Sequence, residues 1–103
     1  MSYKKINAII RQGRLEATER RLRELGIPGI TVTRVKGYGE YADFFNNDWM
    51  VSHARIEIFT EADRAEDIAD AIIEAAHSGL EGDGIVAVLP VDTVRRVRTG
   101  SFL

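Results

Sequence analysis

The chain contains no cysteine. That excludes disulfide staples, thiol nucleophiles and thiolate metal sites, and it suits a cytoplasmic setting. Its two histidines, His53 and His77, lack the spacing of metal ligands. Fourteen lysines and arginines face 16 aspartates and glutamates, a net charge of −2, so charge alone draws neither nucleic acid nor an acidic membrane. No window approaches the about 20 apolar residues that span a bilayer. The opening Met-Ser-Tyr-Lys-Lys-Ile-Asn lacks the apolar core of a signal peptide. Proline is scarce, two in 103 residues, which leaves room for regular elements across a single domain, 1–103.

Glycine is concentrated where it carries information. Gly79-Leu80-Glu81-Gly82-Asp83-Gly84 holds three glycines in six residues and leads into the apolar run Ile85 to Leu89. Glycine costs conformational entropy, so such density needs a sharp turn or a close approach by a ligand. Successive backbone N–H groups in such loops form concavities that hold anions. The alternative is a helix C-cap at Gly79 followed by a plain turn.

Hydrophobic periodicity gives the elements. Lys5 to Arg11 reads as a strand with Ile6, Ala8, Ile9 and Ile10 at its centre. Leu15 to Leu25 reads as a helix with Leu15, Thr18, Leu22 and Leu25 on one face, ended by Gly26 and Pro28. Ile30 to Tyr38 and Ser52 to Thr60 alternate as strands, the second with Ala54, Ile56 and Ile58 on one side and His53, Arg55, Glu57 and Phe59 on the other. Between them lies an irregular stretch rich in aromatics. Arg64 to His77 reads as a second helix, with Thr60 or Asp63 as N-cap. Ile85 to Leu89 is a fourth strand, Pro90 interrupts it, and Asp92 to Arg98 suggests a short final strand. The pattern is an α+β, ferredoxin-like β-α-β-β-α-β domain: an antiparallel sheet with both helices on one face. The other face needs a cover, which copies of the chain can supply.

Fold alone names no function. An RNA-recognition module needs stacking aromatics on its central strands, and the first strand has none. No nucleophile or acid–base pair stands out, so the chain is read as a non-enzyme. A small ferredoxin-like enzyme acting on acyl phosphate or ATP through Asp83 is the alternative from another class. A small-anion site fits better. The glycine loop suits phosphate, Lys36-Gly37-Tyr38-Gly39 adds a cation and two glycines, and Arg96 and Arg98, two apart on the expected strand, project together.

In order along the chain, Lys4-Lys5-Ile6-Asn7-Ala8-Ile9-Ile10-Arg11, Leu25-Gly26-Ile27-Pro28-Gly29-Ile30-Thr31-Val32-Thr33, Val35-Lys36-Gly37-Tyr38-Gly39, Arg55-Ile56-Glu57-Ile58, Ser78-Gly79-Leu80-Glu81-Gly82-Asp83-Gly84 and Arg96-Val97-Arg98-Thr99-Gly100 resemble the PII signalling-protein superfamily. The resemblance implies a homotrimer with adenine nucleotide in clefts between subunits. Gly29, Ile30, Thr31, Glu57, Ile58 and Phe59 would line the base. Lys36, Gly37, Gly82, Asp83 and Gly84 would approach ribose or phosphates. Arg96 and Arg98 would reach in from the neighbouring subunit. A regulatory T-loop, here shortened to about 39–51, would engage a partner protein.

Three departures sharpen the expectation. Ile85 stands where the family places a lysine for the terminal phosphates, which favours ADP or AMP over ATP. Tyr41 and His53 replace the glutamine and lysine associated with 2-oxoglutarate. The chain is in these respects most similar to carboxysome-associated PII-like proteins, which implies bicarbonate as a second ligand near Tyr38, Gly39, Glu40 and Tyr41. It also implies a link to carbon assimilation and a bicarbonate transporter or carboxysome component as partner. Another PII-like sensor, reading cyclic nucleotides or serving a transporter, is the nearest alternative.

Overall fold

The computed structural model describes residues 2–37 and 51–103. Its elements are β1 (Tyr3–Arg11), α1 (Leu15–Glu24), β2 (Thr31–Gly37), β3 (Val51–Glu61), α2 (Ala65–Ala76) and β4 (Gly84–Val91). This is the expected βαββαβ order. The strands pair antiparallel in one sheet, β2-β3-β1-β4.

Register explains the core. Ile6, Ala8 and Ile10 of β1 lie opposite Ile58, Ile56 and Ala54 of β3, and Ala8 and Ile6 lie opposite Val86 and Val88 of β4. With a side-chain period of two, all of these share one face. Leu22 of α1 and Ile68, Ile72 and Ala76 of α2 pack onto that face and complete the cluster. Thr18 is buried in the apolar stripe of α1 because its Oγ1 donates to the Arg14 carbonyl at 2.8 Å. The helix ends as its sequence predicts. Gly26, at φ +78°, donates to the Arg23 carbonyl, and Ile27 donates to that of Leu22, the paired bonds of a Schellman turn. Ile27 is thereby tucked into the core.

Four expectations are corrected. Pro90 does not interrupt β4, which runs on to Val91 with Pro90 opposite Lys4; β4 is an edge strand, where a missing N–H is tolerated. Neither Thr60 nor Asp63 caps α2. A 3₁₀ turn, Ala62–Arg64, leads into the helix without a side-chain cap, and the Ala62 N–H finds the Ser2 carbonyl at 3.0 Å. Gly79 is not the helix C-cap, since α2 closes at Ala76 and His77 is already extended.

The fourth concerns Asp92 to Arg98, which is not a strand. The tail folds back at Thr99-Gly100, with Gly100 at φ +71°, and the only ladder contact described there is the bridge between Arg95 and Phe102. Bonds from Arg96 N–H to the Ser101 carbonyl and from Gly100 N–H to the Arg96 carbonyl close this hairpin. Strand alternation therefore does not put Arg96 and Arg98 on one side. The expected T-loop at about 39–51 lies outside the described residues, except for its last position.

Ile72, fully buried between α2 and the sheet, is a direct test of this packing. Ile72→Ala is expected to cost about 2–5 kcal/mol of stability, read from the shift in urea unfolding midpoint.

Candidate functional site

The site grows from the end of the sheet where β1 finishes and β4 begins. Gly84 opens β4 opposite Ile10. Its φ of +116° and its closeness to β1 admit only glycine, because an added Cβ would lie 1.8 Å from the Ile9 carbonyl oxygen. The loop before it folds around Asp83. That carboxylate accepts the backbone N–H groups of Ser78 at 2.8 Å and Gly79 at 2.9 Å, the Ser78 hydroxyl, and the Arg11 Nε–H at 3.2 Å. His77 Nδ1 lies 3.7 Å from the same group. Partial burial opposes the charge. The hydrogen bonds from Ser78, Gly79 and Arg11 more than offset it and hold the carboxyl far below the ordinary aspartate range. Asp83 thus fills the anion nest formed by Ser78 and Gly79 with a carboxylate of the chain itself.

The loop is also tied to the sheet through its carbonyls. Arg11 Nη2 donates to the Glu81 carbonyl, and His53 Nε2 donates to that of Gly82 at 3.3 Å. Alternation places His53 with Arg55, Glu57 and Phe59, on the face away from Ala54, Ile56 and Ile58. His53 is only 1% exposed, because the glycine loop lies over it. The contacts of Arg11 with the glycine loop and the burial of His53 are the features that strand patterning missed. The available signal was their position, since Arg11 ends β1 beside the loop and pairs in register with His53.

Further along the open face, Thr31 lies opposite Glu57, and Glu57 opposite Asn7. Lys5 Nζ sits 2.8 Å from Glu57 Oε2 and 5.8 Å from the centre of the Phe59 ring, and Arg55 Nε lies 3.2 Å from Glu57 Oε1. The Lys5 hydrogen bond leads in holding the Glu57 carboxyl below its ordinary value, with Arg55 adding to it against partial desolvation. Phe59 is 49% exposed, and Ile85 and Leu89 share its face in an apolar patch.

The fold therefore brings together two groups of the residues singled out in the sequence. Thr31, Glu57 and Phe59 form one, with Gly29 and Ile30 just before Thr31, whereas Ile58, between Glu57 and Phe59 on β3, turns its side chain into the core on the opposite face. Gly37, Gly82, Asp83 and Gly84 gather at one sheet end, where Val35 pairs with His53 and Gly37 with Val51. Lys36 is not brought to the first group; its pairing with Ser52 puts its side chain on the opposite face from Thr31 and Glu57. Arg96 and Arg98 belong to a segment that follows the far end of β4, where Asp92, Val94 and Phe102 surround Tyr3 at the start of β1. Eight residues of β4 separate the two ends. Tyr38 to Tyr41 lie outside the described residues. The hollows beside the glycine loop and beside Gly29 and Ile30 measure about 240 and 230 Å³, below the about 300 Å³ at which ligand pockets begin. Among the described residues no group of His, Asp or Glu is gathered to hold a metal, and no helix is long and apolar enough to cross a membrane.

The βαββαβ order and single antiparallel sheet define an α+β, ferredoxin-like module whose glycine loop closes around Asp83 at one sheet end. Comparison with known proteins gives its family. The model of the nitrogen regulatory protein P-II family matches residues 3–101, and the chain belongs to that family of regulatory, non-enzymatic signalling proteins. It is 39% identical over 104 residues to the nitrogen regulatory protein P-II of Azospirillum brasilense, covering 94% of this chain and 93% of that one. It is 37% identical to the Arabidopsis thaliana P-II homolog over 95% of this chain but spans only 54% of that protein. The crystal structure of Arabidopsis thaliana PII bound to citrate superposes with a TM-score of 0.84 at 37% identity, covering 98% of this chain and 85% of that one.

Two outcomes test the role of Asp83. Asp83→Ala is expected to cost about 1–3 kcal/mol, because several donors lose a charged acceptor; urea unfolding reads this. The Asp83 pKa is lower in the folded chain than in the unfolded one. Its stabilisation is therefore complete above the unfolded aspartate pKa, about 4, and is lost as pH falls below that value toward the folded pKa. Unfolding midpoints measured from pH 6 downward should fall less steeply in Asp83→Ala than in the parent.

Proposed function

We propose that the chain is a non-enzymatic sensor of adenine nucleotides, binding ADP or AMP in preference to ATP in clefts between the copies of a homotrimer. The observation that carries the preference is Ile85. It follows the glycine loop directly and is 43% exposed on the open face of the sheet, so that position offers no cation to a terminal phosphate. Support for a shared cleft comes from the separation of the glycine loop from Arg96 and Arg98. One chain holds the two walls at opposite ends of β4, and a neighbouring copy can bring them together. The apolar patch of Phe59, Ile85 and Leu89 offers surface for such a neighbour to cover.

In this reading Gly29, Ile30, Thr31, Glu57 and Phe59 hold the adenine, and Ile58, whose side chain lies in the core, contributes through its backbone alone. Gly37, Gly82, Asp83 and Gly84 approach ribose and phosphates, Lys36 flanks them through its backbone, and Arg96 and Arg98 come from the adjacent copy. Bicarbonate binds beside the nucleotide, near Gly37 to Tyr41. The ligands bias the segment at about 39–51 between states that a protein partner distinguishes, which requires different affinities for those states. The partner in this reading is a bicarbonate transporter or carboxysome component, and the setting is the cytoplasm.

A second reading rests on the relatives, which are named nitrogen regulatory proteins at 37–39% identity. It keeps the nucleotide cleft and replaces bicarbonate with a small carboxylate such as 2-oxoglutarate; citrate is the ligand in the Arabidopsis structure. The burial of His53 under the glycine loop favours the first reading, since a buried histidine is a poorer partner for a carboxylate than an extended lysine.

Calorimetry on the intact oligomer decides. ADP and AMP should bind more tightly than ATP, and Ile85→Lys should narrow that gap by raising ATP affinity roughly tenfold. Arg98→Ala should weaken ADP by about 1–3 kcal/mol. Bicarbonate should raise ADP affinity and ADP should raise bicarbonate affinity by the same factor. Coupling to 2-oxoglutarate instead establishes the second reading, and a parent protein that ignores all adenine nucleotides removes both.

A further inference from the structure

The donors that a glycine loop offers an anion depend on which way its peptides face. In a trans peptide the C=O of one residue and the N–H of the next point in opposite directions, and no cis peptide bond occurs among the described residues. Two carbonyls of the loop are held against the sheet. Arg11 Nη2 binds that of Glu81, and His53 Nε2 binds that of Gly82 at 3.3 Å. The N–H groups of Gly82 and Asp83 must then point away from the sheet end. Arg11 also fixes the next residue, through the 3.2 Å bond from its Nε to Asp83. Its guanidinium therefore spans two points of the loop at once, which its planar fork allows and an ammonium does not.

Arg11 and His53 are direct cross-strand partners on the open face, one from β1 and one from β3. They emerge side by side from the two central strands of the sheet. Gly82, at φ +90°, supplies the backbone freedom that lets consecutive carbonyls turn inward.

From this geometry we propose that Arg11 and His53 are positioning residues. By holding the Glu81 and Gly82 carbonyls inward, they aim the Gly82 and Asp83 N–H groups outward as donors to the phosphate end of the ligand. This rests on the nucleotide reading above and adds to it the residues that orient its phosphate wall. Neither side chain needs to touch the nucleotide phosphate to act in this way.

The test combines calorimetry with amide hydrogen exchange followed by NMR on the intact oligomer. Arg11→Met and His53→Phe keep side-chain bulk and remove the donors. Each is expected to weaken ADP roughly tenfold, to leave adenosine binding unchanged, and to speed exchange at Gly82, Asp83 and Gly84 while Ile6 and Ile56 keep parental protection. His53→Gln, whose amide can donate to the same carbonyl, should restore most of the ADP affinity. Arg11→Lys, which supplies donors from one nitrogen only, should fall between parent and Arg11→Met. Parental ADP affinity in both donor-less variants overturns the proposal. Weakened ADP with loop exchange unchanged also overturns it, because the side chain would then be contacting the ligand itself. Equal losses of ADP and adenosine overturn it as well. If the parent binds no nucleotide, the functional reading fails, and the exchange rates at Gly82 and Asp83 still judge whether Arg11 and His53 orient the loop.

Discussion

The carboxylate of Asp83 is the point on which this molecule turns. It is one group with four donors, drawn from the segment after α2 and from the last residue of β1. Those donors bring the exit of a helix, the entry of an edge strand and the end of the central strand into one place. With the carboxylate in place, Ser78 and Gly79 have their backbone N–H groups satisfied, and the chain can enter β4 through Gly84 at a distance from β1 that no side chain would permit. An external anion in the same nest would have to displace an internal one that is already well bound. Any external anion at this loop must use donors other than those Asp83 consumes.

Most of the scaffold is legible in the residue pattern because its forces are local or periodic. Alternation in Ile6, Ala8, Ile10 and in Ala54, Ile56, Ile58 marks the inner face of two strands. The stripe of Leu15, Thr18, Leu22 and Leu25 marks a helix, and Gly26 marks its end through the left-handed conformation that glycine adopts cheaply. What escapes the pattern depends on tertiary position. Pro90 breaks a strand by propensity, yet is harmless here because its strand lies at the edge of the sheet. His53 belongs by parity with the polar residues of β3, yet is buried because a loop distant in sequence closes over it. The tail turns back at Gly100 rather than running on as a strand.

The site is legible to a similar degree. Gly82, Asp83 and Gly84 announce themselves by type and context, and the fold gathers them at one sheet end, whereas Glu57 enters only through the family resemblance. Arg11, Lys5 and Arg55 do not announce themselves, because a cation at a strand position is ordinarily a solvated surface group, and only the register shows what each one meets. Lys5 and Arg55 flank Glu57 in a charged group set among apolar neighbours on the open face. Exposed ion pairs contribute little to stability. Here their contribution is to fix the direction of a carboxylate beside the strand edge that begins with Thr31.

The placement of the glycine loop and of the Arg96–Arg98 segment at opposite ends of β4 has a consequence for inheritance of damage. In the ring of identical copies proposed above, each chain would lend one wall to the cleft on its left and a different wall to the cleft on its right. A defect in either wall of a single copy spoils one cleft and leaves the others whole. Two chains broken in different walls, mixed in one ring, can rebuild an intact cleft wherever their sound halves meet. Such an arrangement would make the ring, rather than the chain, the smallest unit on which selection for binding can act.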